Sequence, residues 1–160
     1  MEVIQKNSQA IGLAGELRVR SELILRGFHP ATFDYDDGTD IVLDNGKRIG
    51  VKTASRPLFR PKSYSYVYMF SLKWVKIRQG DGKANYKKTY DKRDWSDHVD
   101  YWILWCIGHD LFYIIPNNEV KAKFAFVVPT PPEKRIYKKH TWKETKSKYD
   151  KYKNNWEQLR

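Results

Sequence analysis

The sequence predicts an α+β domain in which a helix is followed by a series of mainly antiparallel strands and then by a second helix. Apolar residues recur every three or four positions over residues 8–26, as they do on one face of a helix. Between residues 28 and 128, short strand-like segments alternate with turn residues, and aromatic residues at helical spacing follow over residues 141–160. A chain of 160 residues has the length of one domain, so we expect residues 1–160 to form a single unit.

The first helix is predicted over residues 8–26, with Ser8 as its N-cap and Gly27 as its stop. Gly12 and Gly15 weaken a helix, so their presence indicates close approach of its backbone to a neighbouring element. We expect the buried stripe of this helix to consist of Ala10, Ile11, Ala14, Leu17, Ser21, Ile24, Leu25 and Phe28.

Two short strands, residues 40–43 and 47–53, are predicted to form a hairpin. A two-residue Asn-Gly turn would mix apolar and polar residues on both faces. A three-residue turn with Gly46 in the left-handed conformation instead gathers four apolar residues on one face: Ile41, Leu43, Ile49 and Val51. A half-buried sheet needs one apolar face, so we favour the second register. It places Asp40 and Lys52 together on the opposite face.

The remaining pattern predicts a long strand over 64–74, a basic loop excursion over 76–93, a hairpin of 99–107 with 111–115, a strand over 124–128 and a C-terminal helix over 141–160.

The net charge of +11 is concentrated in two segments. Residues 47–93 carry fourteen basic and two acidic side chains, a net charge of +12, and residues 133–160 carry ten and four, a net charge of +6. This excess is larger than solubility requires and favours binding to the phosphates of a nucleic acid. The predicted DNA-binding side chains are Lys47, Arg48, Arg56, Arg60, Lys62, Lys73, Lys76, Arg78, Lys83, Lys87 and Lys88.

Several other classes of protein are disfavoured by the composition. Cys106 is the single cysteine, so no disulfide can form within one chain, and no His/Cys cluster has the spacing of a zinc finger. The most apolar stretch, residues 101–107, is too short to span a bilayer, and the N-terminal residues lack the pattern of a secretion signal. We therefore expect a cytoplasmic protein without a membrane partner.

Three residues have the chemistry that phosphodiester hydrolysis requires. Oxygen ligands must hold a hard divalent cation, and Asp40 can supply one. Lys52 can orient the nucleophile or neutralise charge that develops on the phosphate. Glu16 can add a second carboxylate if the first helix packs against the hairpin.

These residues lie in three segments, 15–16, 38–43 and 48–53, which together resemble the PD-(D/E)xK nuclease superfamily. The ending, residues 152–156, is similar to the branch that includes group I intron homing endonucleases. The resemblance implies a restriction-endonuclease-like core, with a mixed, mostly antiparallel sheet flanked by helices. It also implies a DNA endonuclease, of homing or restriction type, that depends on Mg²⁺ or Mn²⁺.

The resemblance assigns a role to each matching residue. Asp40 becomes a metal ligand, the main-chain carbonyl of Val51 a second ligand, and Lys52 the motif lysine, while Glu16 ligates the metal directly or through water. The family places Glu or Gln where this chain has Gly50, so one ligand is missing.

Three explanations of the glycine remain open. The protein binds DNA without cleaving it; or another acid completes the site, such as Asp36, Asp37 or Asp44; or position 50 has been altered from Glu or Gln. Glycine is unfavourable inside a strand, and no local feature of the sequence requires it at position 50. The explanation that position 50 was altered is therefore favoured at least as much as the explanation that the protein has lost cleavage.

The expected partner is double-stranded DNA. A domain of this size holds one active site, so cleavage of both strands requires a homodimer or homotetramer. The alternative function is a non-catalytic nucleic-acid-binding protein on the same fold, in which Asp40 and Lys52 have no joint role.

Overall fold

The structure, a computed structural model, describes residues 8–32, 38–60, 65–72, 74–77, 88–91, 98–120, 124–127, 129 and 148–160. Over these residues the chain forms one α-helix, α1 (Ser8–Leu25), ten strands and several 3-10 turns. The strands are β1 (Pro30–Thr32), β2 (Ile41–Leu43), β3 (Arg48–Ala54), β4 (Leu58–Arg60), β5 (Ser65–Ser71), β6 (Trp74–Ile77), β7 (Lys88–Asp91), β8 (Tyr101–Cys106), β9 (Leu111–Pro116) and β10 (Phe124–Val127). In this part of the chain, no helix combines the length and the apolar character needed to cross a bilayer.

The main sheet has five strands in the order β1-β2-β3-β8-β9. Strands β3 and β8 are parallel, whereas the other neighbouring pairs are antiparallel. Strands β10, β5 and β4 form a second, antiparallel sheet, and β6 pairs with β7. The predicted α+β class with a mixed, mostly antiparallel sheet is therefore confirmed.

The β2–β3 hairpin has the predicted three-residue turn. Ile41 pairs with Ile49, the Leu43 N–H donates to the Lys47 carbonyl at 3.0 Å, and Gly46 has a φ of 82°. The four apolar residues of the predicted face are all buried: Ile41, Leu43, Ile49 and Val51. The register argument from polarity alone is confirmed, including its placement of Asp40 at the start of this hairpin.

Two apolar clusters cover the two faces of the main sheet. One cluster contains the buried residues of α1, the apolar face of β2–β3 and the last residues of the chain. The other cluster contains β5, β10 and the opposite face of β8, centred on Tyr68, Phe70 and Trp102. The main sheet is thus the middle layer, with α1 on one side and the three-stranded sheet on the other.

Helix α1 spans nearly the predicted range but packs through a different face. The residues buried against the sheet are Gly15, Val19 and Leu23. Leu17 and Ile24, two members of the predicted buried stripe, are more than half exposed. Phe28, the last member of that stripe, is buried as predicted, but within the helix the predicted face was wrong. Helix α1 has two apolar faces, and the sequence periodicity identifies the wider one. Packing selects the narrower face, where a glycine allows the closest approach.

The contact between α1 and β3 depends on the missing side chain of Gly15. A Cβ atom at this position would overlap Oγ1 of Thr53. The expected close approach is therefore confirmed at Gly15. It is wrong for Gly12, where an added Cβ would have no described atom within 4 Å.

The predicted C-terminal helix is replaced by extended chain and 3-10 turns over residues 148–160. Lys153 forms an isolated antiparallel bridge with Tyr113, and the Asn154 N–H donates to the Phe112 carbonyl at 2.8 Å. The aromatic residues at helical spacing in this segment, Tyr149, Tyr152 and Trp156, are buried, but pairing with strand β9 rather than helical geometry orders the backbone. Residues 141–147 lie outside the described part of the chain.

The predicted loop excursion over 76–93 is partly ordered as strands. Residues 74–77 and 88–91 form the antiparallel pair β6–β7, so the ends of the excursion are a hairpin stem. Residues 78–87, which connect these strands in the sequence, are not among the described residues.

We expect Gly15→Ala to destabilise the protein by about 1–3 kcal/mol, because the added methyl group forces α1 away from β3. Gly12→Ala is the matched control and should be neutral or stabilising by up to about 1 kcal/mol, since alanine is the better helix former. Urea denaturation measures both changes. Adding Thr53→Ala to Gly15→Ala should recover part of the loss, and equal stability of the two single variants would contradict this account.

Candidate active site

A cleft of about 440 Å³ opens between the first turns of α1, strand β3 and the β4–β5 ribbon. It contains all four residues expected to act on metal or phosphate: Glu16, Asp40, Val51 and Lys52. Arg56 follows β3 and also lines the cleft. Residues that are far apart in the sequence therefore share one concave surface.

Asp40 is held at the cleft by two hydrogen bonds to the β3 backbone, one made by its own N–H and one by its carboxylate. Its own N–H donates to the Ile49 carbonyl at 2.9 Å, and its carboxylate Oδ2 accepts the Val51 N–H at 2.5 Å. The preceding residue, Thr39, is buried, and its hydroxyl donates to the His98 carbonyl. These bonds fix the Asp40 carboxylate beside the backbone of Val51, the two groups expected to be ligands.

Glu16 reaches the same cleft from α1. Partial burial raises the pKa of its carboxyl, the nearby Asp40 charge raises this pKa further, and the Lys52 charge opposes both effects. The two carboxylates therefore repel each other within the cleft, an arrangement that a divalent cation would stabilise.

The donor set is small but chemically suited to magnesium or manganese. Two carboxylates and a main-chain carbonyl offer oxygen ligands, and Mg²⁺ characteristically keeps several waters beside one or two protein carboxylates. The described residues contain no cluster of three or more His, Cys, Asp or Glu side chains that could form a fuller cage.

Lys52 lies on the polar face of β3 and packs near an indole ring. Its Nζ atom is 5.6 Å from the ring centroid of Trp102, within the range of a cation–π interaction. Trp102 is 1% exposed, and its Nε1–H donates to Oδ1 of Asn117 at 2.9 Å. A fixed aromatic ring therefore lies beside the ammonium group of Lys52.

Trp102 also explains Gly50, which the sequence did not. Strands β3 and β8 pair Gly50 directly with Trp102. A Cβ atom at position 50 would lie 2.5 and 2.7 Å from two carbons of the indole ring. The expectation that no local feature requires glycine was wrong: the ring occupies the volume that a side chain at position 50 would need.

Of the other acids considered for completing the site, Asp44 lies in the exposed turn between β2 and β3 and does not line the cleft. Asp36 and Asp37 fall outside the described residues.

Two of the predicted DNA-binding residues have partners within the protein. The Arg48 guanidinium donates to Asp100 at 3.0 and 3.2 Å, and this side-chain bond lowers the pKa of the Asp100 carboxyl. The Lys47 ammonium donates to the carbonyls of Gln158 and Arg160. Arg56 is the predicted basic residue, besides the site lysine, that lines the cleft.

The side chains of the other predicted DNA-binding residues are outside what the structure describes: Arg60, Lys62, Lys73, Lys76, Arg78, Lys83, Lys87 and Lys88.

Sequence reasoning missed three residues that shape the site. The first is Trp102, for which the sequence pattern indicates only a position in an apolar strand. The other two are Leu58 and Met69, which line the cleft from the β4–β5 ribbon. The parallel pairing of β3 with β8 brings Trp102 to Gly50, and no local sequence signal specifies that pairing. A glycine inside a strand is the one available signal, because it often marks a close approach.

Comparison with known proteins finds a structural similarity but no similarity in sequence. No family model matches the sequence, and none of the curated proteins matches it. The solved structure of a bacterial homing endonuclease, I-Ssp6803I, superposes with a TM-score of 0.67 over 96% of this chain and 93% of that chain. The sequence identity is 16%, so the similarity is one of fold.

We expect replacement of Asp40 by asparagine to lower the pKa of Glu16 toward its ordinary value, because the neighbouring negative charge is removed. The effect of burial remains, so the shift should be partial. Asp44→Asn is the matched control and should leave the Glu16 pKa unchanged. NMR titration of the side-chain carboxyl carbons measures both variants, and an equal response to the two substitutions would contradict the proximity of Glu16 and Asp40.

Gly50→Ala and Trp102→Leu should each destabilise the protein, the first through overlap with the ring and the second through loss of buried aromatic surface. The double variant should be more stable than the sum of the two effects predicts, by more than about 1 kcal/mol, since the smaller residue makes room for the methyl group. A double-mutant cycle in urea measures this coupling. Strict additivity would show that position 50 and the ring do not compete for space.

Proposed function

We propose that the protein is a DNA endonuclease that hydrolyses phosphodiester bonds with the help of Mg²⁺ or Mn²⁺. The observation that carries the proposal is the meeting of Glu16, Asp40 and Lys52 in one cleft. A pair of acids, a nearby ammonium group and an open cleft match the requirements of phosphate chemistry without a covalent intermediate.

Each residue has a distinct proposed role. Glu16, Asp40 and the Val51 carbonyl are the groups that would hold the metal. The bound ion would supply charge neutralisation and activation of a water molecule. Lys52 is placed to bind a non-bridging phosphate oxygen or to orient the attacking water, and Arg56 to bind a neighbouring phosphate.

Double-stranded DNA is the proposed substrate. The net charge of +12 over residues 47–93 favours a polyphosphate backbone, and this segment includes β3 and the β4–β5 ribbon beside the cleft. The structurally similar protein is described as a bacterial homing endonuclease. This description supports the proposal that the present chain cleaves DNA and has a homing role.

A second candidate function is favoured by Trp102. Position 50 is a glycine packed against this ring, so it offers neither the acidic nor the amide side chain that the family resemblance implies there. A protein with this cleft could bind nucleic acid without cutting it. This alternative predicts salt-dependent binding to DNA that is indifferent to divalent ions and to the side chain of Asp40.

Cleavage of supercoiled plasmid in Mg²⁺ or Mn²⁺ separates the two functions. A nuclease should nick the plasmid only with the metal present, and Asp40→Asn should reduce the rate by at least about 100-fold through loss of a ligand. The amide oxygen of the new asparagine would still accept the Val51 N–H, so the fold should survive. Asp44→Asn is the matched control and should cut normally. Binding of DNA by the wild type without any metal-dependent nicking would contradict the nuclease proposal.

Lys52→Met should separate catalysis from metal binding. The ammonium group is not a ligand, so Mn²⁺ affinity measured by calorimetry should be unchanged or higher, because a neighbouring positive charge is lost. The cleavage rate should fall by at least about 100-fold. Glu16→Gln should instead weaken Mn²⁺ binding in calorimetry, because a proposed ligand is lost. Glu22→Gln on the same helix is the matched control and should leave Mn²⁺ binding unchanged, because the Glu22 carboxylate bonds Arg18 and Arg26. Equal Mn²⁺ affinity in all of these variants would contradict the assigned ligands.

A further inference from the structure

The indole ring of Trp102 is held in place by the end of strand β9. Its Nε1–H donates to Oδ1 of Asn117 at 2.9 Å, and the residue is buried. Asn117 is itself fixed, because its N–H donates to the Asp100 carbonyl at 2.9 Å and its carbonyl accepts the Val120 N–H at 3.0 Å. The backbone therefore holds the Asn117 amide, and this amide fixes the rotation of the ring.

The ring reaches Lys52 because Gly50 leaves room for it. Gly50 pairs with Trp102 across the parallel β3–β8 ladder, and Lys52 lies two residues further along β3 on the same face. A Cβ atom at position 50 would lie 2.5 Å from a ring carbon, so another side chain there would displace the ring. The Lys52 Nζ atom lies over this ring, 5.6 Å from its centroid. The absence of a side chain at position 50 thus brings the ring and the ammonium group together.

We infer that Trp102, fixed by Asn117, is a positioning residue that holds the Lys52 ammonium group in the cleft for a phosphate. This role rests on the proposed function, in which Lys52 binds a phosphate oxygen or orients the attacking water. Lys52 lines the cleft while its Nζ atom lies over the ring, so the contact does not withdraw it from the cleft. A lysine side chain loses rotamer freedom when a ligand fixes its charge, and a ring that already limits this freedom reduces that loss.

A neutral ring holds an ammonium group differently from a carboxylate. A carboxylate partner would offset the positive charge and occupy an N–H donor. The ring attracts the cation through its quadrupole, so the charge and the donors of Lys52 stay available for a phosphate oxygen. Position 50 is glycine rather than the Glu or Gln that the family resemblance implies, so the residue two positions before Lys52 supplies no competing group. The pairing of Gly50 with Trp102 therefore suits a lysine that acts on phosphate.

NMR of the full chain labelled with ¹³C-lysine tests the contact without metal, DNA or cleavage. An aromatic ring shifts protons above its face upfield, so the Lys52 Hε resonance, identified by its loss in Lys52→Arg, should lie upfield of its position in the unfolded protein. Trp102→Leu should abolish this shift, and Asn117→Ala should reduce it, because the ring is no longer fixed. Asn117→Asp retains the acceptor oxygen and should preserve most of the shift. A Lys52 resonance without an upfield shift, or one that neither Trp102→Leu nor Asn117→Ala changes, would overturn the inference.

Titration with inorganic phosphate at constant ionic strength tests the positioning role at the same resonance. The Lys52 signal of the wild type should move and saturate, and Asn117→Ala should need about 3- to 30-fold more phosphate, the range that a cation–π interaction contributes. Asn155→Ala is the matched control and should bind phosphate like the wild type, because the Asn155 side chain donates to the Lys151 carbonyl and not to the ring. Circular dichroism checks that each variant is folded. Equal phosphate affinity in the wild type and Asn117→Ala would overturn the inference.

Plasmid nicking distinguishes positioning from a general loss of stability. Asn117→Ala should lower kcat by about 3- to 30-fold and leave Mn²⁺ affinity unchanged. In the Lys52→Met background the same substitution should have no effect, because the ammonium group that the ring positions is gone. An equal loss in both backgrounds would show a purely structural role and overturn the inference. A wild type that meets both NMR expectations but never nicks DNA would contradict the proposed function and still support the positioning of Lys52.

Discussion

The close approach of α1 to β3 at Gly15 is the contact on which the site depends. Thr53 fills the space where a side chain on Gly15 would lie, so the helix backbone rests directly on the strand. The next residue of the helix is Glu16, and the strand residue before Thr53 is Lys52. One short contact therefore brings the helix carboxylate and the strand ammonium group to the same cleft. Asp40 joins them because the β2–β3 register fixes its carboxylate on the Val51 N–H.

The packing of Trp102 against Gly50 is a second constraint on the site. Trp102 is paired with Gly50 across the parallel β3–β8 ladder, buried in the core and bonded to Asn117. Its ring lies against Gly50, and the ring centroid is 5.6 Å from the Lys52 Nζ atom. The glycine and the tryptophan therefore form one structural unit, and neither can be understood alone. This pairing weakens the explanation that position 50 was simply altered from a larger residue, because restoring such a residue would require Trp102 to move.

Much of this architecture was predictable from the sequence where local patterns are decisive. The β2–β3 register followed from polarity alone, and so did the shared face of Asp40 and Lys52. The buried face of α1 was not predictable, because both faces of the helix are apolar and tertiary packing chose the one with Gly15. The prediction of a C-terminal helix was wrong because aromatic residues at helical spacing can also be buried by a segment without an α-helix. Here Lys153 and Asn154 hold that segment against β9 through backbone pairing. Trp102 was missed because parallel pairing between distant segments leaves no local signal.

The central proposal is that the cleft between α1 and β3 would hold a divalent cation through Glu16, Asp40 and the Val51 carbonyl. The most direct measurement is anomalous X-ray scattering from crystals of the wild-type protein soaked in Mn²⁺. The account predicts an anomalous peak in contact with the Asp40 carboxylate and the Val51 carbonyl, and its loss in crystals of the Asp40→Asn variant. A fully soaked crystal with no peak in the cleft, or with a peak bound only elsewhere on the surface, would contradict the claim.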